Sequence, residues 1–370
     1  MYIFSFAQKE YYPIANPCDN DKVFDKLPPA AYDNNCVRYL RIVSQPFTKF
    51  PKEIYRYPNL KELTIQNSTI HELPIDIVLN KELEILDLSN NNLASIPSTI
   101  GELKKLRKLI LKNNQISTLP ASIANCINLE ELDITGNPIQ YLPNEINNLR
   151  ALSKFKFSGN SISNPKQMLQ LVRQIKNITS LDLSNCNLNY VPTDIKYLKN
   201  LTELNLANNN IHFLPDEIGS LSKLQTLILG EAGIGGNKIY ELPASLANLT
   251  KLKTLHASTN GFVEFPLVLT SMYNLEQLDL SNNMLQSLPS ELGLMSSLRN
   301  LNVMNNQLTD VPKEIKELNN LTQFDFIGNL FTESTLNKIT QYLTGDNPTP
   351  AKKKSVRKKR STKYSKKKRR

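Results

Sequence analysis

The chain has 370 residues, three histidines, four cysteines and no tryptophan. No apolar run approaches the roughly 20 residues of a membrane span, and three scattered histidines leave little material for catalytic or metal chemistry. The net charge of +10 misleads: residues 351–370 carry thirteen Lys and Arg and no acid, so the remainder holds 31 basic against 34 acidic residues.

Residues 1–36 form an N-terminal segment with Cys18, Cys36 and several tyrosines, expected to cap whatever follows. The start, MYIFSFAQKEYY, ends its short apolar run at Ala7 as an exported leader does. It lacks a basic region, however, and its run is shorter than the ~7–15 residues such leaders need. Two readings stay open. In one, the start codon lies upstream of Met1, residues 1–7 are a leader remnant, and the protein is periplasmic or secreted. In the other, Ile3, Phe4 and Phe6 pack in the cap and the protein is cytoplasmic. In the exported case a Cys18–Cys36 bridge would close a loop worth about 3 kcal/mol.

From Val37 a repeat begins. Equivalent starts fall at Val37, Leu60, Leu83, Leu106, Leu129, Leu152, Ile178, Leu201, Leu224, Leu252, Leu275, Leu298 and Leu321, and all but two spacings are 23 residues. A fixed period of this size marks a stacked architecture, in which each unit buries its core only against its neighbours. The consensus over residues 37–334 is LxxLxLxxNxLxxLPxxIxxLxx. Its LxL core, such as Leu86 and Leu88, predicts a short parallel strand with alternate side chains inward. Thirteen such strands would form an arc of roughly 60 Å. The ninth-position asparagines (Asn91, Asn114, Asn137, Asn160, Asn209, Asn237, Asn260, Asn283, Asn306 and Asn329, with Cys186 once) sit where the backbone turns and needs side-chain donors and acceptors. A proline in eleven repeats, from Pro51 to Pro312, stops the strand.

Two repeats depart from the pattern. Asn164-Pro165 before KQMLQLVRQIKN predicts an N-cap, a Pro at N1 and a true helix. The insert GEAGIGGNKI from Gly230 has neither the GK[ST] ending nor the strand-to-helix context of a phosphate loop, and is expected as a flexible rim bulge. After the repeats, residues 335–343 read as a capping helix and residues 344–370 as a linker and basic tail.

This pattern resembles the leucine-rich repeat family, in its 23-residue LP-x-x-I form. It is similar to Ras-pathway scaffolds, Scribble-like polarity scaffolds, plant Ras-group proteins and bacterial repeat proteins. The resemblance implies an α/β solenoid: a horseshoe with a parallel concave sheet and short helical, 3-10 or irregular convex segments. It also implies a non-enzymatic scaffold that recognises a protein partner on the concave face, as a monomer. The four-cysteine flank of vertebrate extracellular members is missing, which weakens the exported reading.

The candidate residues of that face are Tyr39, Glu62, Ile85, Asp87, Lys108, Ile110, Glu131, Asp133, Lys154, Lys156, Asp182, Glu203, Ile228, His256, Asp279 and Asp325. Tyr39, Ile85, Ile110, Ile228 and Met304 are expected as exposed apolar contacts. Five aspartates in the middle column suggest a metal ladder, but alternate repeats stand about 10 Å apart. Calcium ligands must lie about 2.3–2.6 Å from one ion, so solvated polar groups are the better expectation. No catalytic set, cofactor or metal is expected: His71 and His212 belong to different repeats, and His256 lies three repeats from Cys186. The competing reading makes the tail a binder of nucleic acid or anionic membrane, with Lys352, Lys353, Lys354, Arg357, Lys358, Lys359 and Arg360 contacting phosphate.

Overall fold

The computed structural model describes Cys18 and residues 21–344. The leader-like start, the linker beyond Thr344 and the tail lysines and arginines lie outside the described residues. The strands are β1 (Val23–Phe24), β2 (Tyr39–Val43), β3 (Glu62–Gln66), β4 (Ile85–Asp87), β5 (Lys108–Ile110), β6 (Glu131–Asp133) and β7 (Lys154–Lys156). Helix α1 (Pro165–Val172) follows, then β8 (Ser180–Asp182), β9 (Glu203–Asn205), β10 (Thr226–Gly230), β11 (Thr254–Ala257), β12 (Gln277–Asp279), β13 (Asn300–Asn302), β14 (Gln323–Asp325) and helix α2 (Glu333–Thr344). They make one open parallel sheet in strict sequence order.

The expected thirteen strands are thus joined by a fourteenth. Val23 and Phe24 pair with Tyr39 and Leu40, so the N-terminal segment extends the sheet as well as capping it. The repeat signature could not show this, because residues 23–24 lack the leucines that define it. Phe24 is buried and meets the Tyr32 ring edge-on at 5.0 Å. Cys18 joins Cys36 with their Cα atoms 5.0 Å apart, tying this cap to the first repeat.

Register follows the leucines. Leu63, Leu86, Leu109 and Leu132 stand in line across β3–β6, all with no exposed area. Each of the eleven prolines caps a five-residue 3-10 helix, as Pro97 does for Ser98–Glu102, where the Ile100 amide donates to the Pro97 carbonyl at 3.1 Å. Proline fits because its ring sets φ and it has no N–H to leave unpaired at a helix start. In the sixth repeat the Asn164 side chain instead accepts from the Gln167 amide at 3.0 Å, capping α1 as its sequence predicts. At the other end α2 buries Ile339 and Leu343 beside the Phe324, Phe326 and Phe331 ring cluster.

The turns carry two asparagine ladders, where the consensus shows one. The buried ladder is the expected one: Asn114 Nδ2 donates to Leu88 O (3.0 Å) and Leu111 O (2.9 Å), and its Oδ1 accepts from Leu93 N (3.0 Å). One residue earlier, Asn67, Asn90, Asn113, Asn185, Asn208, Asn282 and Asn305 adopt φ between 51° and 56°. Their exposed side chains bond to one another, Asn113 to Asn90 at 2.7 Å and Asn90 to Asn67 at 2.8 Å. Asparagine tolerates this left-handed region where most side chains do not. Gly136, Gly159 and Gly328 hold the same place with φ of 66°, 69° and 81°.

Candidate recognition surface

The concave face is built from the outward positions of every strand, and the structure lines up all sixteen candidate residues there in three-residue registers. Their chemistry differs between the two halves. Across β2–β7 the charges pair with one another: Arg41 Nε lies 2.6 Å from Glu62, and Lys108 Nζ lies 3.6 Å from Glu131. Lys156 bridges Glu131 at 2.9 Å and Asp133 at 3.7 Å. Burial works to raise the Glu131 carboxyl, yet the Lys156 hydrogen bond and the charges of Lys156, Lys108 and Lys154 hold it below its ordinary range. The Lys156 ammonium is desolvated too, and the same carboxylates lift it above its ordinary value.

From β9 onward the face presents neutral amides and hydroxyls with isolated carboxylates. A groove of about 150 Å³ runs over β11–β14, lined by His256, Gln277, Asp279, Asn300, Asn302, Gln323 and Asp325. The imidazole of His256 has its Nδ1 buried there without a hydrogen-bond partner among the described residues.

Two expectations change. The middle-column aspartates are more than solvated groups, for they close the ends of the strands. Asp133 Oδ1 accepts from Thr135 N at 3.0 Å, Asp182 Oδ1 from Ser184 N at 2.9 Å, and Asp279 Oδ1 from Ser281 N at 2.8 Å. Asn205 and Asn302 do the same for Ala207 and Met304. Asp133 is 6% exposed. Burial, chiefly, raises the Asp182 carboxyl against the Ser184 donors, and the charges of Asp133 and Glu203 add to the rise. Second, Tyr39, Ile85, Ile110, Ile228 and Met304 are half-buried rather than exposed, because inward curvature crowds neighbouring side chains on this face.

The large exposed apolar groups lie elsewhere. Tyr141, Tyr190, Phe213, Tyr240 and Val263 stand out from the segments that follow the buried ladder, and Phe213 meets Tyr240 edge-on at 5.0 Å. The sequence signal was available: Tyr141, Tyr190 and Phe213 stand just before the apolar-Pro pair of their repeats, where other repeats hold polar side chains such as Glu72, Ser95, Thr118 and Asp310, and Tyr240 and Val263 stand one residue earlier. The glycine insert is also firmer than expected. Glu231 and Gly235 exchange two backbone hydrogen bonds (3.1 and 2.9 Å), and a Cβ on Gly236 would stand 1.7 Å from Thr259 O. That contact requires glycine.

Chemistry is sparse among the described residues. Cys186 fills its ladder position by donating to Phe157 O and Ser184 O, both at 3.3 Å, and burial pushes its thiol up to about 12. Burial likewise takes Cys126 to about 11. Cys18, Asp33 and Cys36 form one close group of metal-type side chains, but the two sulfurs are bonded to each other. No helix among the described residues is long and apolar enough to cross a membrane.

The comparisons agree with this geometry. A leucine-rich repeat region matches residues 158–337, leucine-rich repeat matches residues 58–116, and paired leucine-rich repeats match residues 104–151. No curated protein matches the chain. Among solved structures, a leucine-rich repeat protein of Leptospira interrogans is 28% identical with a TM-score of 0.60, covering 87% of this chain and 98% of its own. An internalin from Listeria monocytogenes is 21% identical with a TM-score of 0.67, covering 81% and 83%. A plant peptide hormone receptor in complex with RGF2 is 28% identical with a TM-score of 0.60; 79% of this chain spans 50% of that one.

Proposed function

Because the chain is a leucine-rich repeat protein, we propose that it is a non-enzymatic recognition module whose concave face receives a protein or peptide partner. One observation carries this reading. The inward column of the sheet is apolar in every repeat, while the outward column beside it runs Tyr39, Glu62, Ile85, Lys108, Glu131, Lys154, Ser180, Glu203. The fold's own packing demands the first column and has no use for such variety in the second. Protein or peptide binding also fits the receptor with its RGF2 ligand.

The open groove over β11–β14 and the paired charges over β2–β7 suit a partner that is polar and extended. Hot spots at protein interfaces favour aromatics and arginine, and this face offers few, so binding energy would be spread over many hydrogen bonds. The test compares proteins captured by the wild type, by Ile110→Arg with Lys154→Glu on the concave face, and by Leu79→Arg on the 55%-exposed convex site. A partner kept by the convex variant and lost by the concave one is expected. Equal capture by all three would move the site off the concave face.

A further inference from the structure

The charge of the solenoid is divided along its length. Residues 21–200 hold 22 Lys and Arg against 17 Asp and Glu, a surplus of positive charge. Residues 201–344 hold 8 against 14, a surplus of negative charge. The pairing is equally uneven. In the second half Glu276 is bridged by Lys253 and Arg299, and Glu317 by Lys316. The other twelve carboxylates there make no ion pair among the described residues. On the concave face these include Glu203, Asp279 and Asp325, whose partners are neutral: Ser180 Oγ, Ser281 N and Gln323 Nε2.

The thirteen cations of residues 351–370 follow directly from this acidic end. We propose that this segment docks on the concave groove of β11–β14, with its lysines and arginines between Asp279 and Asp325. Reach permits it. It is measured from Thr344, where α2 ends against the 3-10 segment Lys313–Glu317 behind the sheet. The 26 residues beyond it span up to about 85 Å extended, enough to round the edge of the last repeat and cross the three strand spacings, about 14 Å, from β14 to β11. Field favours it as well, since a tethered polycation meets the negative half of the solenoid at high local concentration and is repelled by the positive half beyond it. The groove is lined by amides and carboxylates that accept hydrogen bonds, which suits ammonium and guanidinium groups. Docking would withhold the tail from external anions and cover one end of the concave face. It stands whether or not that face also binds a protein partner.

The test uses the full chain. Carbodiimide coupling joins an amine to a carboxylate without a spacer, and mass spectrometry of the monomer then identifies the joined residues. At low salt, links from the lysines of residues 352–368 to Asp279 or Asp325 are expected, falling at least tenfold in 0.5 M salt as screening shortens to about 4 Å. Asp279→Asn with Asp325→Asn is a conservative second arm, because Asn205 and Asn302 already close strand ends with an amide oxygen. Its affinity for duplex DNA at low salt should exceed the wild type's by roughly two- to thirtyfold, the worth of two exposed ion pairs. Links that are missing, that form only between chains of a mixed isotope-labelled sample, or that fall in residues 21–200 would overturn the proposal. So would unchanged DNA affinity in the double variant.

Discussion

Asn114→Ala tests the buried ladder, because the structure shows which groups lose their partners. The side chain makes two close donations, to Leu88 O and Leu111 O, and one acceptance, from Leu93 N. The two carbonyls are shared: Asn91 also donates to Leu88 O at 3.1 Å, and Asn137 to Leu111 O at 3.0 Å. Each therefore keeps a bond when Asn114 is lost. Leu93 N does not; its residue is 1% exposed and no second acceptor among the described residues replaces Oδ1. The expected loss is the cost of one orphaned buried donor, about 1–3 kcal/mol. Repeats couple only to their neighbours, so the effect should be sharpest in β4–β6, where amide exchange would quicken by about 5- to 150-fold. Urea unfolding and hydrogen exchange by mass spectrometry both read it. A variant with the wild-type urea midpoint and unchanged exchange across β4–β6 would refute the structural assignment of the ladder.

In the exposed ladder, Asn113→Gly should be nearly neutral, whereas Gly136→Ala should cost about 1–2 kcal/mol, since φ is +66° and a Cβ would stand 2.3 Å from Asn113 Oδ1; equal thermal midpoints for the two variants would contradict the strain. Cys126 and Cys186, with thiols raised to about 11 and 12, should resist iodoacetamide at pH 8 in the native protein and react only in denaturant. Intact-mass measurement with and without reductant should show Cys18 and Cys36 joined, and Cys36→Ser should destabilise by about 3 kcal/mol; free thiols at both in freshly isolated protein would count against the bridge. The Asp182 carboxyl is raised in the folded state, so its contribution is fully present below the unfolded pKa and is lost as pH rises through the folded one. Asp182→Asn should therefore be at least as stable as the wild type at pH 7, with that advantage shrinking as pH falls through the carboxylate range in paired unfolding curves.

The sequence by itself determined the architecture, the register and the buried ladder. A 23-residue period leaves each leucine one environment, and in a sheet of period two that also decides which residues face outward. It determined α1 as well, because Asn164-Pro165 is a local signal and capping is a local event. Of the candidate recognition surface, the outward placement of the sixteen concave positions was legible for the same reason. Only the tertiary structure decided what those side chains are free to do. That Asp133 and Asp182 close strand ends depends on turn geometry two residues on. That Lys156 is held between Glu131 and Asp133 depends on contacts across strands. The β1 strand escaped the sequence because two residues carry no period, and gained its place only by pairing with β2. Curvature half-buried the outward isoleucines and left the exposed aromatics beyond the sheet, from Tyr141 to Tyr240. A repeat fixes direction for each side chain, but crowding is set by how far neighbouring units splay, which no single unit encodes.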